Sequence, residues 1–138
     1  MTGLRLSSAL KARLQERAQA GYPNETCGVL IGRCGDEETE VEEVIAARNL
    51  NLERARDRYE LDPAALLAAD EAARSRGLEI IGIWHSHPDH PAVPSETDRA
   101  QAWRGWSYII VSVASGGVED LRSWRLNGAD FVEERIRS

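Results

Sequence analysis

The chain has 138 residues, 42% of them hydrophobic and 29% charged, with a formal net charge of −6. That is the length of one domain, spanning 1–138, which buries about two-thirds of its unfolded surface. An acidic balance without a lysine-arginine cluster excludes nucleic acid and an anionic membrane surface as main partners, and there is no apolar run near the roughly 18 residues of a membrane span.

The N-terminus lacks an apolar signal core, which predicts a cytoplasmic protein. Cys27 and Cys34 are the only cysteines, too few for a disulfide scaffold or a cysteine-based metal site. Seven residues apart on one strand they face opposite sides, so no mutual bridge is expected. Reduced thiols fit the same compartment.

Leu4 to Ala20 reads as a helix. Ser7 and Ser8 supply a cap signal, Leu10, Leu14 and Ala18 fall at helical spacing, and Gly21 and Pro23 end it. Cys27 to Arg33 is an apolar strand, and the acidic Asp36-Glu37-Glu38 turns it into a second strand over Val41–Ala47. Together they predict an antiparallel hairpin. Asn49 to Asp57 is polar and irregular, and Arg58-Tyr59-Glu60-Leu61 reads as a short strand by alternation. Asp62-Pro63 opens a helix with a cap and a proline at the first position, Ala64–Arg76 continues it, and Gly77 closes it.

Ile80-Ile81-Gly82-Ile83-Trp84 is a short β-branched run of the kind that forms a buried strand. A helix from Ser95 to about Trp103 follows, then a second buried strand over Ser107–Val113. Gly116-Gly117 turns into Val118–Arg125, and Asn127-Gly128 makes a tight hairpin to Phe131–Ile136. The order α-β-β-β-α-β-α-β-β-β predicts a mixed sheet with helices packed on it, α/β or α+β.

The chemistry gathers at the end of the Ile80–Trp84 strand. All three histidines, His85, His87 and His90, fall within six residues. Alternate residues of a strand share a face, so His85 and His87 bring their rings together, a pair suited to a borderline-soft cation such as zinc. Ten residues, three of them proline, separate His87 from Asp98, so the chain turns there. Ser95 is placed as an N-cap with a carboxylate at the third helical position. A helix starting there returns Asp98 over the strand end. Two histidines and one aspartate give three ligands and leave one position for water, the pattern of a catalytic zinc site. Asp98 also has a metal-free reading, as an acid favoured in a first helical turn.

His-x-His-Pro, ten residues from the second histidine to an aspartate, and a serine three before that aspartate together resemble the JAMM motif of MPN+ domain metallopeptidases. Glu25, in Pro23-Asn24-Glu25-Thr26-Cys27-Gly28-Val29-Leu30-Ile31-Gly32, stands where that family uses an upstream glutamate. The resemblance covers roughly residues 4 to 126. It implies a mixed, curved sheet flanked by helices, of the cytidine-deaminase-like type. It also implies one Zn2+ per chain on His85, His87 and Asp98, Glu25 as general base and Ser95 as donor to the oxyanion. The implied reaction is hydrolysis of an amide at the C-terminus of a small ubiquitin-like or sulfur-carrier protein ending Gly-Gly, its extended tail added to a sheet edge.

Other readings make different demands. A non-catalytic MPN-type scaffold would lack part of the ligand set, which is complete here. A zinc nucleoside deaminase requires a Pro-Cys-x-x-Cys motif, which is absent. A deubiquitinase acting on ubiquitin chains tends to carry insertions that this compact chain has little room for. His90, in a proline-flanked loop, is expected exposed near the cleft, with sharing a metal with His87 as the alternative. Cys27 is expected as a small buried hydrophobe that could alternatively line the substrate, and Trp84, Trp103 and Trp106 as core or cleft wall. Oligomeric state is left open.

Overall fold

The computed structural model describes residues 3–138. Its elements are β1 (Gly3–Arg5), α1 (Ser8–Gly21), β2 (Cys27–Cys34), β3 (Glu38–Ala47), α2 (Pro63–Arg74), β4 (Glu79–Pro88), α3 (Glu96–Gln101), β5 (Ser107–Ala114), β6 (Gly117–Asn127) and β7 (Asp130–Arg137). The mixed sheet expected from the sequence is present, and its curvature runs to closure. Strand order β1-β3-β2-β4-β5-β6-β7 returns to β1, which lies parallel to both β3 and β7. β4 and β5 are also parallel, and the remaining neighbours are antiparallel.

Closure is short along β3: β1 covers only Glu38, Thr39 and Glu40, so Val41–Ala47 pairs with β2 alone.

The first helix also begins later than its leucines suggest. Leu4 lies in β1, pairing with Thr39 and Ile136, and Leu6 follows it into the core. Their i, i+2 spacing is strand periodicity. The helix starts only at Ser8, where the Ser7 hydroxyl accepts from the Leu10 N–H at 3.2 Å. Residues 58–61 form no strand beyond a single bridge between Asn49 and Leu61. The Asn49 side chain occupies the Glu60 N–H and the Arg58 carbonyl that a ladder would need. The third helix stops at Gln101, short of Trp103.

Alternation along β2 divides the core between two helices. Leu30 joins Leu14 and Ala18 of α1 with Trp84, Ile109 and Val111, while Val29 and Ile31 meet Ala69 and Ala73 of α2. Each such aliphatic side chain contributes about 1.5–3 kcal/mol on full burial. Trp84 is the largest fully buried side chain, and its indole N–H donates to the Ile45 carbonyl at 3.0 Å. No helix is long and apolar enough to cross a membrane among the described residues.

Gly28 makes that arrangement possible. A Cβ there would sit 1.9 Å from the Ile45 carbonyl oxygen and 2.3 Å from Trp84 Nε1. Gly28→Ala is therefore expected to destabilise the fold by about 3 kcal/mol, through overpacking and a lost buried hydrogen bond. A lower urea midpoint at unchanged slope is the expected result. An unmoved midpoint would mean that β2 and β3 part without penalty.

Candidate metal centre

β4 continues past Trp84 to Pro88, so His85, Ser86 and His87 belong to the strand. His85 and His87 share its face, ring centroids 5.0 Å apart and inclined at 54°. The intervening Ser86 points the other way. Its hydroxyl oxygen accepts from the Thr26 N–H at 2.8 Å, and its own N–H donates to the Thr26 carbonyl at 2.9 Å. Those bonds fix the segment carrying Glu25 against the strand carrying the histidines. The ladder continues from there, with Cys27 opposite His85.

His87 Nδ1 lies 2.9 Å from the Pro91 carbonyl oxygen. A carbonyl only accepts, so Nδ1 carries the proton and Nε2 is the atom turned into the site. The loop supplying that carbonyl is itself tied down. Ser112 donates its hydroxyl to the His90 carbonyl at 2.5 Å, Trp124 its indole N–H to the Ala92 carbonyl at 3.0 Å, and Tyr22 its phenol to the Asp89 carboxylate at 2.8 Å.

The same loop ends at Ser95, the N-cap of α3. The Ser95 hydroxyl oxygen accepts from the Asp98 N–H at 3.1 Å, and the Asp98 carboxylate accepts from the Ser95 N–H at 2.8 Å, a reciprocal capping box. Because the Ser95 oxygen is the acceptor, its hydroxyl proton remains available to another group. Asp98 also faces both histidines, Oδ2 at 3.1 Å from His87 Nε2 and Oδ1 at 3.5 Å from His85 Nε2. Burial alone would raise the Asp98 pKa. The His87 bond, the His85 charge and the Ser95 N–H outweigh it and hold the carboxyl well below its usual range. For His87 burial works downward, and the Asp98 and Pro91 contacts leave its pKa raised.

Glu25 completes the group. It is buried, with Oε1 3.6 Å from His85 Nδ1. Both of its backbone polar groups are taken by the following loop: its N–H donates to the Ala55 carbonyl at 2.5 Å, and its carbonyl accepts from Asn49 Nδ2 at 3.2 Å. Glu25, His85 and His87 each offer a ligand atom within 4.8 Å of one another. With Asp98 in contact with both histidines and Ser95 capping Asp98, all five residues singled out in the sequence meet in one place.

Two residues of the site carried no signal of their own. Tyr59 stacks on His85, ring centroids 4.5 Å apart at 25°, and its phenol pKa is pushed well above the usual value by burial and then by the Asp98 charge. Asn49 uses both donors and its carbonyl oxygen at once, binding Glu25 and Arg58 while accepting from Asn51 and Glu60. An asparagine just after a strand and an aromatic just before a helix start were the available hints. Asn49 opens a stretch without periodicity, and Tyr59 lies in the alternating 58–61 run that is not a strand. His90 is exposed and borders the cleft with Glu25, His87 and Ser95, which has a volume of about 450 Å³. Cys27 is buried, and burial followed by the Glu25 charge pushes its thiol up to about 12, which suits a small packed hydrophobe. Cys34 is exposed and both thiols are free.

The residues fit a divalent cation. Both ring nitrogens of His85 are buried without a hydrogen-bond partner among the described residues, in a structure that otherwise satisfies its buried side-chain polar atoms with one serine hydroxyl excepted. Imidazole nitrogens and carboxylate oxygens converging from buried side chains are the donors of zinc and its neighbours.

The chain is 40% identical over 121 residues to a desampylase of Haloferax volcanii, covering 81% of this chain and 84% of that one. It is 31% identical over 120 residues to a CysO-cysteine peptidase of Mycobacterium tuberculosis, covering 86% and 80%. The solution structure of a Desulfitobacterium hafniense protein superposes with a TM-score of 0.84 at 30% identity, over 96% of this chain and 90% of the other. Residues 7–127 match the family described as prokaryotic homologs of the JAB domain, and the chain belongs to that family.

Proposed function

We propose that this chain is a zinc-dependent peptidase. It hydrolyses the peptide or isopeptide amide that joins the C-terminal glycine of a small ubiquitin-like or sulfur-carrier protein, ending Gly-Gly, to a leaving amine. The observation that carries this reading is the meeting of Glu25, His85, His87, Ser95 and Asp98 around the partnerless ring nitrogens of His85. Family membership supports the reaction class. The CysO-cysteine peptidase relative supports a carrier as the acyl side.

His85, His87 and Asp98 hold one ion per chain. Zinc, when bound, supplies Lewis acidity, lowering the pKa of a water to about 7 and polarising a carbonyl. The Asp98 carboxylate, kept ionised, balances that charge. Glu25 takes a proton from the attacking water and delivers it to the departing amine as the C–N bond breaks. Ser95 donates its hydroxyl proton to the oxygen on which negative charge develops. Glycine in the tail lets the backbone approach the histidines without a side chain in the way.

One observation favours a second role for Glu25. Its carboxylate lies within ligand distance of both histidines, so it could complete the coordination in place of Asp98.

The test follows hydrolysis by mass spectrometry, on a sulfur-carrier protein ligated through its terminal glycine to cysteine and on linear and Lys-linked diubiquitin. Chelator-sensitive release from the carrier adduct is expected. Cleavage of diubiquitin with the carrier adduct untouched would replace this reading with a deubiquitinase. No cleavage of any of the three would leave a binding scaffold.

A further inference from the structure

The cleft beside the candidate metal centre is lined by both signs of charge, Arg54 and Arg58 against Glu25 and Asp57. Arg54, Asp57 and Arg58 line it together with Glu25, His87 and Ser95. In a chain of net charge −6, residues 54–58 hold three arginines against one aspartate. The two arginines of the cleft differ in what they hold. Arg54 grips Asp57 with both arms, Nε at 3.2 Å and an NH2 at 2.5 Å from the two carboxylate oxygens. Arg58 is half-buried and donates one NH1 bond to the Asp57 carbonyl at 3.0 Å, yet no carboxylate lies within 4.0 Å of it among the described residues. A guanidinium has five N–H donors in a fixed fork, so most of this one is free to receive an anion.

The backbone of Arg58 is also tied to that of Glu25. One Asn49 amide donates to the Glu25 carbonyl at 3.2 Å and to the Arg58 carbonyl at 3.0 Å. The backbones of Glu25 and Arg58 are therefore pinned by the same NH2 group.

We propose that Arg58 recognises a carboxylate on the leaving side of the scissile amide, so that the favoured substrate bears an α-amino acid with a free carboxylate on the carrier's terminal glycine. This deepens the proposed function and rests on it. The acyl side near the bond is glycine and carries no charge, and the carrier's own carboxylate is consumed in the amide. An amino acid joined through its α-amine brings a carboxylate within one residue of the bond, whereas a lysine side chain joined through its ε-amine does not. Water adds to the carbonyl, the C–N bond breaks, and the proton released from water goes to the amine. The products are the carrier carboxylate and a free amino acid.

The experiment uses two synthetic peptides with the same tail ending Gly-Gly-Ala, one with a free C-terminal carboxylate and one with a carboxamide. Hydrolysis by the zinc-loaded protein is measured by kcat/KM, and binding of both peptides to zinc-loaded Glu25→Gln is measured by calorimetry. The free acid is expected to be favoured about 10–100-fold, mostly through KM, the size of a charge-assisted hydrogen bond. Arg58→Gln should bring the acid-to-amide ratio close to one, and Arg58→Lys should restore part of it. Equal hydrolysis of the two peptides, or a preference that survives Arg58→Gln, overturns the carboxylate site and leaves the proposed function standing. Tighter binding of the acid that depends on Arg58, with neither peptide hydrolysed, supports the site and overturns the peptidase reading.

Discussion

His87→Ala protein is expected to fold, to carry far less than the one zinc per chain of the parent, and to hydrolyse nothing measurable. His87 is held by the Pro91 carbonyl at Nδ1, which leaves Nε2 to face the ion, so truncation removes a preorganised ligand rather than a mobile one. Losing a group that only orients a ligand costs about 10–100-fold in metal affinity or activity, and losing the ligand costs more. Asp98 needs a subtler variant, because its carboxylate is also the reciprocal half of the α3 capping box. Asp98→Ala would leave the Ser95 cap but remove the acceptor for the Ser95 N–H. Asp98→Asn keeps an acceptor for the Ser95 N–H while deleting the charge, and it too should empty the site. Acidification should release the ion from the parent protein as well. A histidine must be neutral to bind metal, and the raised pKa of His87 lets protons compete from a higher pH than an ordinary histidine would. Elemental analysis of purified, zinc-supplemented protein decides all three. Parent protein with an intact fold and almost no metal would sink the catalytic reading in favour of a scaffold.

Much of this centre is visible in the sequence because its logic is local. His85 and His87 share a face by the two-residue period of a strand, the three prolines forbid the strand from continuing, and Ser95 with Asp98 is a capping box by residue type and spacing. Nothing local distinguishes Glu25 among 23 acidic residues. Its place follows from the antiparallel register that sets Cys27 opposite His85 and from the Ser86–Thr26 bonds just beyond it. That register belongs to the fold, and only the family pattern could point to it beforehand.

The misread segments failed for the same reason. A single i, i+2 pair, Leu4 and Leu6, is too short to reveal β1, and the strand exists because it bridges β3 and the C-terminal β7. Closure of the sheet was therefore hidden as well. Residues 58–61 alternate like a strand, but the competing partner is a side chain, Asn49, whose amide takes the backbone groups a ladder would have used. Side-chain capture of a loop leaves no periodic trace. Here it also positions Glu25, so the least legible part of the chain sets the geometry of its proposed base.

Glu25→Gln is expected to keep the metal and lose about 10²–10⁴-fold in turnover, the usual contribution of a positioned general base. The substitution preserves shape, and both backbone bonds of residue 25 lie outside the side chain, to Ala55 and Asn49. What it removes is the ability to take a proton beside His85, 3.6 Å away. Metal content and rate must be read together, because the carboxylate stands close enough to the histidines to serve as a ligand instead. Full zinc content with the rate lost assigns Glu25 to proton transfer and leaves coordination to His85, His87 and Asp98. Zinc lost along with the rate makes Glu25 a ligand and moves Asp98 to the supporting role of completing the α3 capping box and orienting the imidazoles. A rate unchanged at full zinc content would place the base on another residue of the cleft, which His90 also borders.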